Sequence, residues 1–294
     1  MILLDLSQVM IANIMAHLAN AGGVSQKIDD DTKNIIRHMI LNSIRSLRSE
    51  FKEKYGELVI CCDDHDVWRK GVFPHYKANR RKLREDSDTD WTALFDFMAK
   101  VRDELRENFP YKILQVSRAE ADDVIASLCH KYGVTLRMEA SHENIMILSG
   151  DKDFAQLQKY ANVYQYAPVQ KKNVVIDNPE RFLREHIMLG DTSDGVPNFL
   201  SDDDTFVTEK RQKPLMRKKL AEWSILEPTT FCDNTMLRNY KRNETLINLD
   251  MIPKDIQEAV ITQFNTQIPA SRSKLMGYFM EKRLRNLFEH IGDF

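Results

Sequence analysis

The sequence predicts an α/β protein, with a largely parallel central sheet and flanking helices, followed by a smaller all-helical domain. Three observations predict it. Short β-rich apolar runs alternate with helical patterns through the first 178 residues, only helical patterns follow from about Pro179, and carboxylates recur where strands end or helices begin.

The strands are expected, in order, at Met1 to Leu4, Leu58 to Cys62, Tyr111 to Val116, Asn144 to Leu148 and Val163 to Tyr166, all short apolar runs. Between the first two, one helix starts near Ser7. A longer one runs over Thr32 to Tyr55, where Ile36, Ile40, Ile44, Leu47 and Phe51 recur at helical spacing and Gly56 can end it. Asp90 can cap a further helix whose Trp91, Leu94, Phe95, Met98, Val101 and Leu105 share one face, read as core. After a boundary near residue 178, helices are expected over Pro179 to Leu189, Pro214 to Ser224, Thr235 to Asn248, Lys254 to Phe264 and Ser271 to His290. The chain thus divides into an α/β domain over 1–178 and a helical domain over 179–294, without internal repeats.

Composition excludes several classes. At 294 residues the chain is long enough for one large domain or a large and a small one, and 43% hydrophobic content is too high for disorder. No apolar run reaches the roughly 18 to 20 residues that span a bilayer. Asp5 interrupts the apolar opening, which also lacks the basic start of a secretory signal. Cys61, Cys62, Cys129 and Cys232 form no C-x-x-C pair and read as buried thiols of a reducing cytoplasm. The 42 Lys+Arg nearly balance 44 Asp+Glu, yet the charges are sorted along the chain. Arg69 to Arg84 holds seven Lys/Arg and no acid, and Lys210 to Lys219 holds six. Such sorting sets a cationic surface beside an anionic pocket.

The acids carry the chemistry. Asp5 closes the first strand and Asp63 the second. Glu120, Asp122 and Asp123 open the helix after the third, Asp151 and Asp153 follow the fourth, and Asp191 and Asp194 share an Asp-Gly turn. Singly, each reads as a cap or a turn former. At the carboxyl ends of parallel strands they can converge on one crevice. Converged and ionised, they require a compensating charge, so either cations bind or the acids stay apart. Oxygen donors without clustered His or Cys favour Mg²⁺ or Mn²⁺ over zinc. The eight histidines show no ligand spacing and are read as ordinary residues.

The ordered motifs Leu4-Asp5, Cys62-Asp63, Glu120-Ala121-Asp122-Asp123, Gly150-Asp151-Lys152-Asp153-Phe154 and Gly190-Asp191-Thr192-Ser193-Asp194-Gly195-Val196 resemble the 5′ nuclease (flap endonuclease) superfamily. Within it, Trp68-Arg69, Tyr76 to Arg80, Ser87 to Trp91 and Leu249 to Pro253 look most like the ribonuclease H branch of T-even-type bacteriophages. The resemblance implies a PIN/resolvase-like core and a metal-dependent 5′ to 3′ exonuclease and flap endonuclease acting on RNA primers and 5′ flaps. It implies two Mg²⁺ ions, with Mn²⁺ as substitute. One would lie nearer Asp5, Asp63, Glu120 and Asp122, and the other nearer Asp151, Asp153 and Asp194, with Asp123 and Asp191 as supporting ligands. Residues 66–90 would form the arch over a single-stranded 5′ end. Lys77 and Arg84 match positions that contact the scissile phosphate. Arg69 offers another phosphate contact and the Tyr76 ring a base-stacking surface.

If residues 76–85 are helical, Lys77, Arg80, Arg81 and Arg84 share one cationic face. The family's glycine-rich hairpin on duplex backbone has no counterpart, because no glycine occurs between Gly195 and Gly277. Duplex contact is expected instead from Lys210, Arg211, Lys213, Arg217, Lys218 and Lys219, and the sequence leaves open whether a potassium site exists. The final Phe294, with Leu287 and Phe288, suits either docking on a sliding clamp or packing on the domain. A single-stranded-DNA-binding protein is a partner the resemblance implies, and the chain reads as a monomer. Two other readings carry less weight. A PIN-type endoribonuclease would lack the basic arch and the helical domain. A catalytically inactive scaffold for branched nucleic acid would have no use for the full acid set.

Overall fold

Six strands, β1 (Ile2–Asp5), β2 (Leu58–Cys61), β3 (Lys112–Leu114), β4 (Ile145–Leu148), β5 (Val163–Ala167) and β6 (Lys172–Val174), form one sheet in the order β3-β2-β1-β4-β5-β6. The structure is a computed structural model that describes residues 1–20, 29–85, 87, 89–135, 143–208 and 210–294, with the side chains of Asn20 and Arg81 to Leu83 also outside the description. All pairings are parallel except β5 with β6. The central strands β1, β2 and β4 are buried at every residue, as expected of a parallel sheet covered on both faces.

The helices are α1 (Leu6–Asn20), α2 (Asp30–Tyr55), α3 (Trp68–Val72), α4 (Ala78–Glu85), α5 (Trp91–Asn108), α6 (Ala121–Tyr132), α7 (Pro179–Leu189), α8 (Arg217–Trp223), α9 (Pro228–Phe231), α10 (Asn234–Ile247), α11 (Lys254–Thr266) and α12 (Lys274–Glu281). Caps place several of them: Asp29 accepts from Thr32 N, Asp90 from Ala93 N and Asn178 from Arg181 N, and Gly56 ends α2 with φ 83°.

Side chains alternate across the sheet. Ile2, Leu4, Leu58, Ile60, Met146 and Leu148 face α1, α2, α5, α12 and the carboxyl terminus, whereas Leu3, Val59, Cys61, Ile145 and Ile147 face α6 and α11. A third cluster joins Phe73 and Tyr76 to α7 and α10 through Ile187, Val196, Phe199 and Tyr240. Helices from both sides of residue 178 therefore share these cores.

Four expectations need correction. The edge strand β6 was not expected, because Lys172 and Asn173 are polar and exposed. The third strand is shorter than Tyr111 to Val116. The helix expected over Ser271 to His290 breaks at Arg283, in the left-handed region at φ 56°, into α12 and a 3-10 segment Arg285–Asp293. Lys77 also stands outside a helix, at φ 58°, so α4 begins only at Ala78.

Candidate metal-dependent nuclease site

The sheet order reverses between β1 and β4, which makes the carboxyl ends of these strands the crevice where an open α/β sheet binds ligands. Asp5 ends β1, 8% exposed, and accepts from Gln8 N at 3.0 Å and Ser149 Oγ at 3.2 Å. Asp63 follows β2 and accepts from Ser7 Oγ at 2.5 Å and Ala121 N at 2.9 Å. Asp151 follows β4 and accepts from Asp153 N at 2.9 Å. The crevice is completed by Glu120 and Asp122 at the start of α6 and by the turn after α7.

That turn depends on two glycines with positive φ. A side chain on Gly190, at φ 68°, would meet the Val196 carbonyl at 2.4 Å, and one on Gly195, at φ 70°, would press on His75 O and Asn79 at 3.1 Å. Asp191 and Val196 exchange backbone hydrogen bonds across it, at 2.8 and 2.7 Å. Residues 77–80 hold the turn from outside. Lys77 N donates to Asp194 O at 2.7 Å, Asn79 Nδ2 to Thr192 O at 2.8 Å, and Arg80 to Ser193 O at 3.0 Å and Asp194 Oδ1 at 2.5 Å.

The acids act on one another. Burial, then Asp63 and Asp151, push Asp5 up to about 7. Burial, then Asp151 and Asp5, push Asp122 well above the carboxylate range, and its carboxylate has no hydrogen bond to another described residue. Burial raises Asp151, Asp153 and Asp194 too, with neighbouring carboxylates adding to it. Glu120 moves the other way. Burial alone would raise it, but Lys77 and Arg69 hold it below its ordinary value. Without bound ions, convergence is tolerated because some acids are held towards the neutral form and others are matched by the chain's own cations. Such a half-buried oxygen set, with Asp122 unpartnered, fits hard divalent cations.

Three side chains expected to touch DNA or metal are structural instead. Arg69 is 3% exposed and spends its guanidinium on Leu246 O at 2.8 Å, Glu120 Oε2 at 2.8 Å and Asp123 Oδ1 at 2.8 Å, so it is not a phosphate contact. Tyr76 is 4% exposed. Its ring packs in the third apolar cluster, where no base can stack, and its OH lies 3.0 Å from Glu120 and 2.8 Å from Asp194. Asp123 is fully buried and bonds Trp68 Nε1 at 3.1 Å and Glu120 N at 2.9 Å, capping α6 behind the crevice rather than facing a metal.

Of the expected cationic face, Lys77 and Arg80 reach the acids. Arg84 lies over the Phe95 ring at 4.8 Å, outside the crevice, and the Arg81 side chain lies outside the described residues. In the second basic run, Lys210 pairs with Asp204 at 2.9 Å and Lys213 reaches Asp202 at 3.9 Å, while Lys219 lies 5.0 Å over Trp223. Arg211, Arg217 and Lys218 are exposed.

His186, expected to be an ordinary residue, joins the site. Asp153, His186 and Asp191 form a group whose ligand atoms all lie within 4.8 Å of one another. The available signal was a histidine one helical turn ahead of the Gly190-Asp191 turn. Ser7, Gln8, Ser149 and Lys152 were also missed, since they serve the site only by bonding its acids or, for Gln8, the Gly150 backbone.

A family model of the 5′-3′ exonuclease N-terminal resolvase-like domain matches residues 2–186. The chain belongs to the 5′-3′ exonuclease family. A second model, for the C-terminal region of T4 RNase H, matches residues 177–294. The chain is 31% identical to ribonuclease H of Enterobacteria phage T4 over 99% of its own length and 95% of the phage protein. A flap endonuclease Xni of Shewanella denitrificans is 24% identical over 59% of this chain and 65% of its own. Among solved structures, a bacteriophage T5 flap endonuclease in a pseudo-enzyme-product complex with DNA and metal ions superposes with TM-score 0.58 at 13% identity, covering 97% of this chain and 98% of that one. The T5 5′-exonuclease with bound zinc gives TM-score 0.58 at 14% identity, over 90% and 97% of the two chains. These structural likenesses are of fold. With the family, they make the chain a phosphodiester-cleaving nuclease of mixed α/β architecture. No helix among the described residues is long and apolar enough to cross a membrane.

Proposed function

We propose that the chain is a structure-specific 5′ nuclease that removes RNA primers and short 5′ flaps from duplex DNA during replication, with two divalent ions, Mg²⁺ or Mn²⁺, in the acid crevice. The observation that carries this is the arrival of Asp5, Asp63, Asp122 and Asp151 at one sheet switch point, faced by Lys77 and Arg80 of the arch. Asp5, Asp63, Asp122, Asp151, Asp153 and Asp194 would hold the ions, with Glu120 and Asp191 in support. Bound there, the ions would supply Lewis-acid activation of the attacking water and stabilise charge on the phosphate and leaving oxygen.

The chain's own residues do the rest. Lys77 and Arg80 contribute fixed positive charge at the crevice rim, where a phosphate can exchange for Glu120 and Asp194. Arg69 and Asp123 fix the first turn of α6, and with it Asp122, against α10. Exposed Arg211, Arg217 and Lys218 follow the duplex backbone. The protein would act as a monomer in the host cytoplasm, beside a sliding clamp and a single-stranded-DNA-binding protein.

Cleavage of a 5′-labelled RNA-primed duplex and a 5′ DNA flap by the wild type and Asp122→Ala, with Mg²⁺ or EDTA, tests the reading. Cutting that needs both metal and Asp122 is expected. Tight binding of both substrates with no cutting would replace the enzyme by a scaffold.

A further inference from the structure

His186 differs chemically from the rest of the crevice. It is 5% exposed, with the Phe182 ring 5.8 Å away and its own carbonyl accepting from Gly190 N at 2.9 Å. Its neighbours Ile187 and Met188 are buried in the third apolar cluster, so α7, not the acids, aims the imidazole. Nε2 lies 2.7 Å from Asp153 Oδ1 and 3.7 Å from Asp191 Oδ2. Asp151 also acts on Asp153, and Lys152 brings a cation, its ammonium 3.1 Å from Asp191 Oδ2 on a side chain 53% exposed. Nitrogen and oxygen ligands of one ion, each at about 2.0–2.2 Å, stand roughly 3 Å apart. The two distances from Nε2 bracket that spacing, and all three donors lie within 4.8 Å of one another.

We propose that His186 Nε2, with Asp153 and Asp191, ligates a divalent transition-metal cation: Mn²⁺, Co²⁺ or Zn²⁺. One position of the crevice is then mixed nitrogen and oxygen, whereas the position at Asp5, Asp122 and Asp151 is oxygen-only. Imidazole suits Co²⁺ and Zn²⁺ far better than Mg²⁺, and Mn²⁺, though hard, takes a nitrogen ligand more readily than Mg²⁺, so this chain discriminates between ions at one position more than an all-carboxylate crevice would. Lys152 gives way to the cation, since two positive charges on one carboxylate oxygen repel and its side chain is free to move into solvent. The inference rests on the metal-dependent reading above.

The test uses the full-length, metal-stripped protein loaded with Mn²⁺, read by electron spin echo envelope modulation, beside His186→Gln and His186→Asn. Wild type shows the modulation of a directly bound imidazole nitrogen and both variants lose it. In calorimetry the variants lose about tenfold or more in Mn²⁺ affinity at one site, and less than about threefold in Mg²⁺ affinity. Wild-type protein that binds Mn²⁺ without nitrogen coupling overturns the ligand assignment and leaves the nuclease reading standing, and needs no variant to fold. Coupling that persists in a folded variant belongs to another histidine and overturns it as well. Wild-type protein that binds neither ion overturns both readings.

Discussion

Lys77 Nζ lies 2.5 Å from Glu120 Oε1, and the same ammonium lies 3.6 Å from Asp194 Oδ2, so one cation ties the cap of α6 to the turn after α7. Burial would lower the Lys77 pKa, but Asp194 and Glu120 hold it above its usual range, and the group stays charged. A charge held in place before the substrate arrives needs no reorganisation when a phosphate takes over from the carboxylates. Lys77→Met is expected to slow single-turnover cleavage of a 5′ flap by about 10²- to 10³-fold. A loss under about threefold would show that Lys77 does not act at the reacting phosphate.

Arg69 makes the opposite prediction from the one its sequence context suggests. Its three anchors join α3, α6 and α10 away from solvent. Removing one partner of a buried ion pair leaves Asp123 uncompensated and costs about 3–5 kcal/mol. Arg69→Met should therefore lower stability by that order in urea denaturation and, in the fraction that stays folded, leave the salt slope of DNA binding unchanged. A lower slope at full stability would return Arg69 to the DNA surface.

The same residues show what was legible in the sequence. The sheet could be read because β1, β2 and β4 are uninterrupted apolar runs, and the convergence of acids followed from where those runs end. Burial could not be read from charge. Arg69 lies in a run of seven cations without an acid, and nothing local shows that Glu120 and Asp123, some fifty residues on, enclose it. His186 stands one helical turn ahead of the Gly190-Asp191 turn, but its pairing with Asp153 is not legible, because Asp153 arrives from the β4 end. The break at Arg283 has neither proline nor glycine to announce it; the backbone leaves the helix there so that Leu284 and Leu287 can enter the core.

The crevice makes the metal-free protein sensitive to pH. Asp5 is raised to about 7 and Asp122 is raised as well, so between about pH 4 and pH 7 the folded state binds more protons than the unfolded one. Stability attributable to these groups is present at low pH and falls as pH rises through 7. With EDTA, the melting temperature at pH 8 should lie below that at pH 6. Mg²⁺ should reverse the loss at pH 8, by about 2.7 kcal/mol at a hundredfold excess over Kd. Equal melting at both pH values with and without metal would show that the acids are not coupled as the geometry requires.

In the second basic run the free cations and the paired ones separate. Lys210 is already matched by Asp204, whereas Arg217 and Lys218 are exposed on α8 without an ion pair to another described residue. Each phosphate contact removed lowers the slope of log K against log salt by about 0.9. Arg217→Met with Lys218→Met should lower it by up to about 2, and Lys210→Met by far less. An unchanged slope in the double variant would place the duplex elsewhere.

The carboxyl terminus is folded in. Phe294 is fully buried, its ring 5.5 Å from Phe109 and 5.3 Å from Phe279, and Asp293 is held by Arg45 at 2.8 Å and, through its carbonyl, by Arg48 at 2.6 Å. A clamp can take this residue only if the core first releases it, and the cost of release is the cost of emptying an aromatic site. Phe294→Ala should therefore destabilise the isolated protein by about 3–5 kcal/mol in urea, with no clamp present. A loss below about 1 kcal/mol would mean that the tail is loosely held, and clamp pull-down with and without the last eight residues would then become the decisive comparison.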